Sequence, residues 1–237
     1  GGAGYIGSHV VRMLTDTGRP VVVLDNLSTG FAAAVLGAEL VVGDTGDRKL
    51  VDQVLADHGV DTVLHFAAHT IVPESVSDPL KYYGNNTCCT RSLLECCARA
   101  GVKHFIFSST AAVYGIPDTP YCTEDSPLSP INPYGTSKLM SEMMLRDLGA
   151  ASDMRHVILR YFNVAGSDPG GRIGQVAAAC FKAGIACAGT TANRLAMHYC
   201  DFLERSFLAE RRMVSLLREL RGFFRAPQRL RLHRISR

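Results

Sequence analysis

A tyrosine and a lysine stand four residues apart in Tyr134-Gly-Thr-Ser-Lys138. On a helix that spacing stacks one side chain above the other. An ammonium held there stabilises a phenolate and draws its pKa toward neutrality, as a general base requires. The same spacing also decorates ordinary helix surfaces, so the surrounding elements must decide. The run from Ser126 to Pro133 carries three prolines, and Pro133 can open a helix but not continue one. Tyr134 and Lys138 are therefore expected in the first turn of a helix reaching Gly149. Its residues Leu139, Met143, Met144 and Leu148 fall on or near one face.

A second group opens the chain. Gly1, Gly4 and Gly7 form a GxxGxxG run that leads into a helix expected over His9 to Thr17. A glycine turn at a helix N-terminus lets backbone approach a pyrophosphate and aims N–H groups at it. Pro20 to Leu24 follows as a buried strand ending in Asp25-Asn26, and Asp25 lies 18 residues after Gly7. An acid at that distance accepts hydrogen bonds from ribose hydroxyls and repels a 2′-phosphate, which favours NAD over NADP.

These groups need a scaffold that brings them together. Apolar runs at 39–42, 62–66, 104–107 and 156–159 alternate with helical patterns at 48–58, 79–100 and 134–149. That alternation predicts an α/β fold, a Rossmann-type doubly wound parallel sheet with flanking helices. Ligands on such sheets bind at the C-terminal ends of the strands. Asp25, Asp44, His69, Thr110 and Asn163 all follow a predicted strand, so one shared site is expected. The strand that should precede the glycines is missing from the chain, which is read here as a piece of a longer protein.

Composition sets wider bounds. The chain of 237 residues is 47% apolar and 20% charged, and its length allows one large domain, or one domain and a small appendage. It has no apolar stretch long enough to span a membrane and no secretion signal. The eight cysteines include the pairs Cys88/Cys89 and Cys96/Cys97, at helical spacing, with no CxxC. They are expected to be buried thiols in a reducing cytosol rather than zinc ligands. His65 and His69 are expected to be a core and a loop histidine, not a metal pair. Residues 1–175 hold 13 Lys and Arg against 18 Asp and Glu, a net of −5; residues 176–237 hold 12 against 4, a net of +8. The sign change marks a boundary near 175.

In order along residues 1 to about 175 stand GGAGYIGSH, LDN, HFAAH with PESV following, YYGNN, FIFSSTAAVYG, SPINPYGTSKLMSE and LRYFNVAG. In these motifs the chain resembles the UDP-glucose 4-epimerases, of the extended short-chain dehydrogenase/reductase superfamily. The resemblance implies a NAD-binding Rossmann domain, a smaller C-terminal domain that closes on a UDP-sugar, a cytoplasmic location and a homodimer, with no nucleic-acid or membrane partner and no metal. It places Gly1, Gly4, Tyr5, Ile6 and Gly7 at the pyrophosphate, Asp25 and Asn26 at the adenosine ribose, and Asp44 with Thr45 near adenine. It puts Phe66, Ala67, Asn85 and Phe162 along the cofactor and Asn163 at the sugar nucleotide. Tyr134 is implied as the base, Lys138 as its partner on the nicotinamide ribose, and Thr110 as the hydroxyl on the reacting oxygen. The implied reaction oxidises carbon 4 of the sugar transiently and returns hydride to the other face. Thr70 stands where some members have lysine, and Cys89 replaces a usual glycine.

Several alternatives stay open. Related dehydratases keep Asp-Glu directly after the threonine; here Ala111-Ala112 follows, which cannot transfer protons. Epimerases of UDP-N-acetylglucosamine or UDP-xylose share these motifs, and an inactive NAD-binding fragment would too. Residues 176–237 lose the resemblance and become arginine-rich. They are read as a basic amphipathic helix, as a solvated helix packed on the domain, or as sequence out of frame.

Overall fold

Strands formed by short β-branched and aromatic runs follow one another in parallel in the computed structural model, which describes residues 1–118, 122–164, 166–168 and 171–174. The expected tail at 176–237 lies outside the described residues. Strand β1 (Val22–Asp25) pairs in parallel with β2 (Glu39–Val42). Strands β3 (Thr62–His65), β4 (His104–Thr110) and β5 (Arg155–Tyr161) form a second parallel sheet in that order. Thr62 is level with His104, and Ser109 and Thr110 are level with Arg160 and Tyr161. All five strands are shifted by no more than a few residues from the sequence expectation.

Gly1 lies between the two sheets. Its nitrogen donates to the Leu24 carbonyl at 2.6 Å, and a Cβ on it would come within 2.2 Å of the Ala67 nitrogen. The glycine run does not precede its helix but enters it: α1 spans Tyr5–Asp16, with Gly4 as N-cap. The reason is close approach. A Cβ on Gly7 would sit 2.2 Å from the Gly1 carbonyl oxygen.

Helix α2 (Arg48–Asp57) is capped by the Asp47 carboxylate, which accepts from Lys49 and Leu50 N–H. The expected helix at 79–100 is α4 (Pro79–Tyr82), a wide π turn at Tyr83–Cys88, and α5 (Cys89–Ala100). A short helix α3 (Val72–Ser77), absent from the sequence expectation, packs ahead of it. Val51, Leu55, Leu93, Cys96, Cys97, Phe105, Phe107 and Leu145 make the main core, between α2, α5, β4 and the helix that carries Leu145. The cysteine expectation holds for Cys96 and Cys97; Cys88 is exposed and Cys89 half-buried. Among the described residues no helix is long and apolar enough to cross a membrane.

Helix α6 spans Pro133–Ala151 and carries Tyr134 in its first turn, with Lys138 one turn later rather than beside it. Asn132 caps it by accepting from Gly135 N–H at 2.8 Å. The face expected to be apolar is only partly the buried one. Met144 and Leu148 pack against the core, but Met143 is 54% exposed, and the fully buried positions are Ser137, Lys138, Ser141, Glu142 and Leu145. Polar groups occupy that face because neighbouring elements satisfy them, as described below.

Gly7→Ala should lower stability by about 1–3 kcal/mol, since rigid backbone must move to admit the methyl. Gly84→Ala, with nothing within 4 Å of its Cβ position, should cost nothing. Thermal unfolding of both variants checks this; equal melting temperatures would contradict the close approach.

Candidate active site

The glycine turn is joined to β1 by Asp25. This carboxylate is buried and accepts from Ala3 N–H at 2.9 Å and from Leu27 N–H at 2.8 Å. Leu27 adopts a left-handed conformation at φ 57°, which only a local constraint makes tolerable for leucine. Asp25 thus builds the turn. Asn26 is exposed and donates to Asp44 Oδ2 at 2.9 Å, while Gly46 N–H donates to Asp44 Oδ1 at 2.7 Å. Burial raises the Asp44 pKa, but the Gly46 N–H, Asn26 and the Cys89 thiol together lower it overall. Thr45 sits half-buried beside it.

Side chains would not fit in the turn at Gly1 and Gly7. The first turn of α1, with Tyr5 and Ile6, has no side-chain cap at Gly4. Both features suit a bound phosphate, which uses backbone amides and the helix's positive end. Phe66 and Ala67 lie at the end of β3 with their backbone against Gly1. The residues present therefore fit a dinucleotide.

Tyr134 meets β4 at Thr110. The Thr110 Oγ1 accepts from Ala112 N–H at 3.1 Å and stands near enough to the Tyr134 phenol to lower its pKa. Burial raises the Tyr134 pKa and Thr110 lowers it, with a net rise. The expected depression by Lys138 is not seen in this geometry. The Lys138 ammonium is buried and lies 4.4 Å from the centre of the Phe107 ring. Burial, opposed by the charge of Glu142, pushes its pKa down to about 7.

His65 is in the core, as expected, bonded through Nε2 to the Thr90 hydroxyl at 2.9 Å. Burial first, then the charge of Lys138, holds it well below the usual histidine range. His69 is half-buried in the loop beyond. Phe162 and Asn163 follow β5 and are exposed. Tyr161, at the end of β5, bonds Ser108 and stands near enough to Tyr134 for one charge to affect the other.

Several supporting residues escaped the sequence reading. Asn86, fully buried, accepts from His69 N–H at 2.8 Å and donates to the His69 carbonyl at 3.0 Å and to Ser137 Oγ at 3.1 Å. Its own carbonyl accepts from Thr90 and Ser141. It ties the loop after β3 and the π turn to α6. Asn85, the expected residue, is half-buried and donates to Asn86 Oδ1 at 3.0 Å. Tyr82 packs edge-on against Tyr134, 6.4 Å between ring centres, and its hydroxyl lies within hydrogen-bond distance of Ile71 O and Glu74, which share its one proton. Glu142 is bound by Arg160 and Ser109. A glutamate four residues after Lys138, and an arginine inside the apolar run HVILRY, were the available signals.

A UDP-glucose 4-epimerase of Azospirillum brasilense is 59% identical over 176 residues, 74% of this chain and 51% of that protein. One from Lactobacillus helveticus is 51% identical over 176 residues, covering 74% and 53%. The chain spans about half the length of the curated relatives it matches. The crystal structure of UDP-glucose 4-epimerase from Brucella ovis in complex with NAD matches with a TM-score of 0.73 at 44% identity, over 74% of this chain and 54% of that one. The enzyme from Bifidobacterium longum in complex with NAD+ and UDP matches at 0.71 and 38%, over 73% and 55%. The model of the NAD dependent epimerase/dehydratase family matches residues 1–207, and the chain belongs to that family.

Proposed function

We propose that this chain binds NAD and carries the reaction centre for interconverting UDP-glucose and UDP-galactose. The observation that supports this most is Tyr134 beside Thr110 at the end of β4, with Lys138 one helical turn away and the neighbouring end of β3 bordering a glycine turn suited to a dinucleotide. The similar proteins named above are UDP-glucose 4-epimerases, two of them solved with NAD.

In this reading Gly1, Gly4, Tyr5, Ile6 and Gly7 hold the pyrophosphate. Asp25 and Asn26 take the adenosine ribose, and Asp44 and Thr45 border adenine. Phe66, Ala67, Asn85 and Phe162 line the cofactor, and Asn163 contacts the sugar nucleotide. Bound NAD supplies a centre that takes up a hydride and gives it back. Tyr134 removes the proton from the hydroxyl on carbon 4, and Thr110 holds that oxygen. The 4-keto sugar would turn over in the site, and Tyr134 would return the proton to the oxygen on carbon 4. The neutral phenol of the ligand-free geometry becomes a base only beside positive charge, from a protonated Lys138 and the oxidised nicotinamide. Ala111 and Ala112, in a short turn after Thr110, offer no second proton-transfer group for a dehydration.

Residues 1–175 form the catalytic unit in this reading, and 176–237 a separate segment. A homodimer belongs to it as well: α4 and α6 are neighbours and leave Leu80, Met140 and Met143 exposed, an apolar surface a second copy would cover. The free thiols among the described cysteines fit a cytoplasmic setting.

Asp25→Ala should weaken NAD binding at least about tenfold by calorimetry, at a cost of one or two polar contacts. It should also lower the melting temperature, because Ala3 and Leu27 lose their acceptor. Unchanged NAD affinity would contradict the ribose role. Tyr134→Phe should cut conversion of UDP-galactose to UDP-glucose about 10²–10⁴-fold while leaving NAD bound. Turnover equal to the parent's would remove Tyr134 as the base.

A further inference from the structure

Beyond the residues that face ligand, α6 buries a second charged group. Glu142 is fully buried, one helical turn past Lys138 on the same face. Arg160 grips it with three contacts: Nε to Oε1 at 2.9 Å, Nε to Oε2 at 3.1 Å and Nη2 to Oε2 at 2.6 Å. Ser109 donates its hydroxyl to Oε1, and the half-exposed Arg146 reaches Oε2 at 3.2 Å. Ser109 and Arg160 are level with each other on β4 and β5, and each immediately precedes a residue at the site, Thr110 and Tyr161. Arg160 is itself held by the Tyr114 hydroxyl at 3.1 Å and stacks on that ring.

A pair so deeply buried is weak evidence for added stability, because desolvation offsets the attraction. Replacing it with apolar side chains would serve packing equally well. Its position suggests another purpose.

We propose that Glu142 is a positioning residue for the Tyr134–Lys138 pair, seating the functional face of α6 on the ends of β4 and β5 through Ser109 and Arg160 and setting the charge of Lys138. This rests on the function proposed above. Among the described residues Glu142 is the one acid whose charge acts on Lys138. On α6 Tyr134 lies one turn before Lys138, and the half-exposed Arg146 bonds Glu142. On β3 His65 feels the Lys138 charge and is held neutral, and on β4 the Phe107 ring lies under the ammonium. Ser109 on β4 and Arg160 on β5 reach Glu142, and Asn86 of the π turn bonds the neighbouring Ser137. Burial drives Lys138 toward its neutral form, and Glu142 opposes that. A charged Lys138 is what the base at Tyr134 needs.

The test is a lysine titration on the full chain without dinucleotide or sugar. The chain has five lysines. With ¹³Cε-labelled lysine, the Lys138 resonance is the one lost in Lys138→Arg. Its midpoint in the parent should fall near the value of about 7. Glu142→Gln should lower the midpoint by about one pH unit or more, through loss of the buried anion beside an uncompensated Arg160. Glu142→Asp, which keeps the charge, should recover at least half of that shift. If Glu142→Gln does not fold, the double variant Glu142→Met with Arg160→Met is compared with Arg160→Met alone, so that only the loss of Glu142 differs, and Lys138 should titrate lower in the double variant. A midpoint that does not fall when Glu142 is removed, in whichever comparison folds, overturns the proposal. No ligand enters this measurement, so its failure leaves the NAD-binding test standing, and loss of NAD binding would leave this one interpretable.

Discussion

Two charges placed on consecutive turns of one helix, both shut away from water, constrain the rest of this structure. Lys138 is 2% exposed and Glu142 not at all. An unpaired buried charge costs several kcal/mol, so every neighbouring element must supply partners. Strand β5 contributes Arg160, β4 contributes Ser109 and the face of Phe107, and Tyr114 holds the guanidinium from behind. Breaking one side of such a pair typically costs about 3–5 kcal/mol. The helix that bears Tyr134 is therefore anchored by chemistry that tolerates little displacement.

The parallel strands do the complementary task. Their shared direction brings Asp25, Asp44, Phe66, Thr110 and Tyr161 to one type of edge, the strand C-terminus. Gly1 and Gly7 permit backbone to pass where any side chain would collide. Asp25 adds rigidity by holding Ala3 and the left-handed Leu27 at once. A residue that would meet ribose is thereby part of the architecture, so its polar atoms are already oriented before a ligand arrives, and less ordering is needed on binding.

Much of this was legible in the sequence because local signals agreed. Apolar strands alternating with helical patterns gave the parallel arrangement, and Pro133 behind Asn132 marked the start of α6. What was only partly legible was the assignment of faces. Leu139, Met143, Met144 and Leu148 suggested one apolar face, and Met144 and Leu148 do pack on the core, yet Met143 is exposed and the most buried positions are largely polar because Glu142, Ser137 and Ser141 find partners on elements distant in sequence. Periodicity cannot anticipate a partner 18 or 51 residues away. The π turn and α3 were missed for a similar reason. Their geometry depends on Asn86 clamping His69 and on Tyr82 reaching Ile71 and Glu74. Asn85 drew attention through resemblance, whereas its neighbour Asn86 makes the ties that hold the site together. The phenol of Tyr134 likewise looked acidified by spacing alone, but burial dominates its environment.

The account stands on Tyr134 acting on a sugar hydroxyl beside a nicotinamide. A crystal structure of this chain with NAD and a UDP-hexose tests that most directly. The account predicts the Tyr134 hydroxyl within about 3–3.5 Å of the oxygen on carbon 4, with Thr110 on the same oxygen and carbon 4 facing the nicotinamide. A complex that places the nicotinamide or the sugar carbon 4 away from Tyr134 would contradict it.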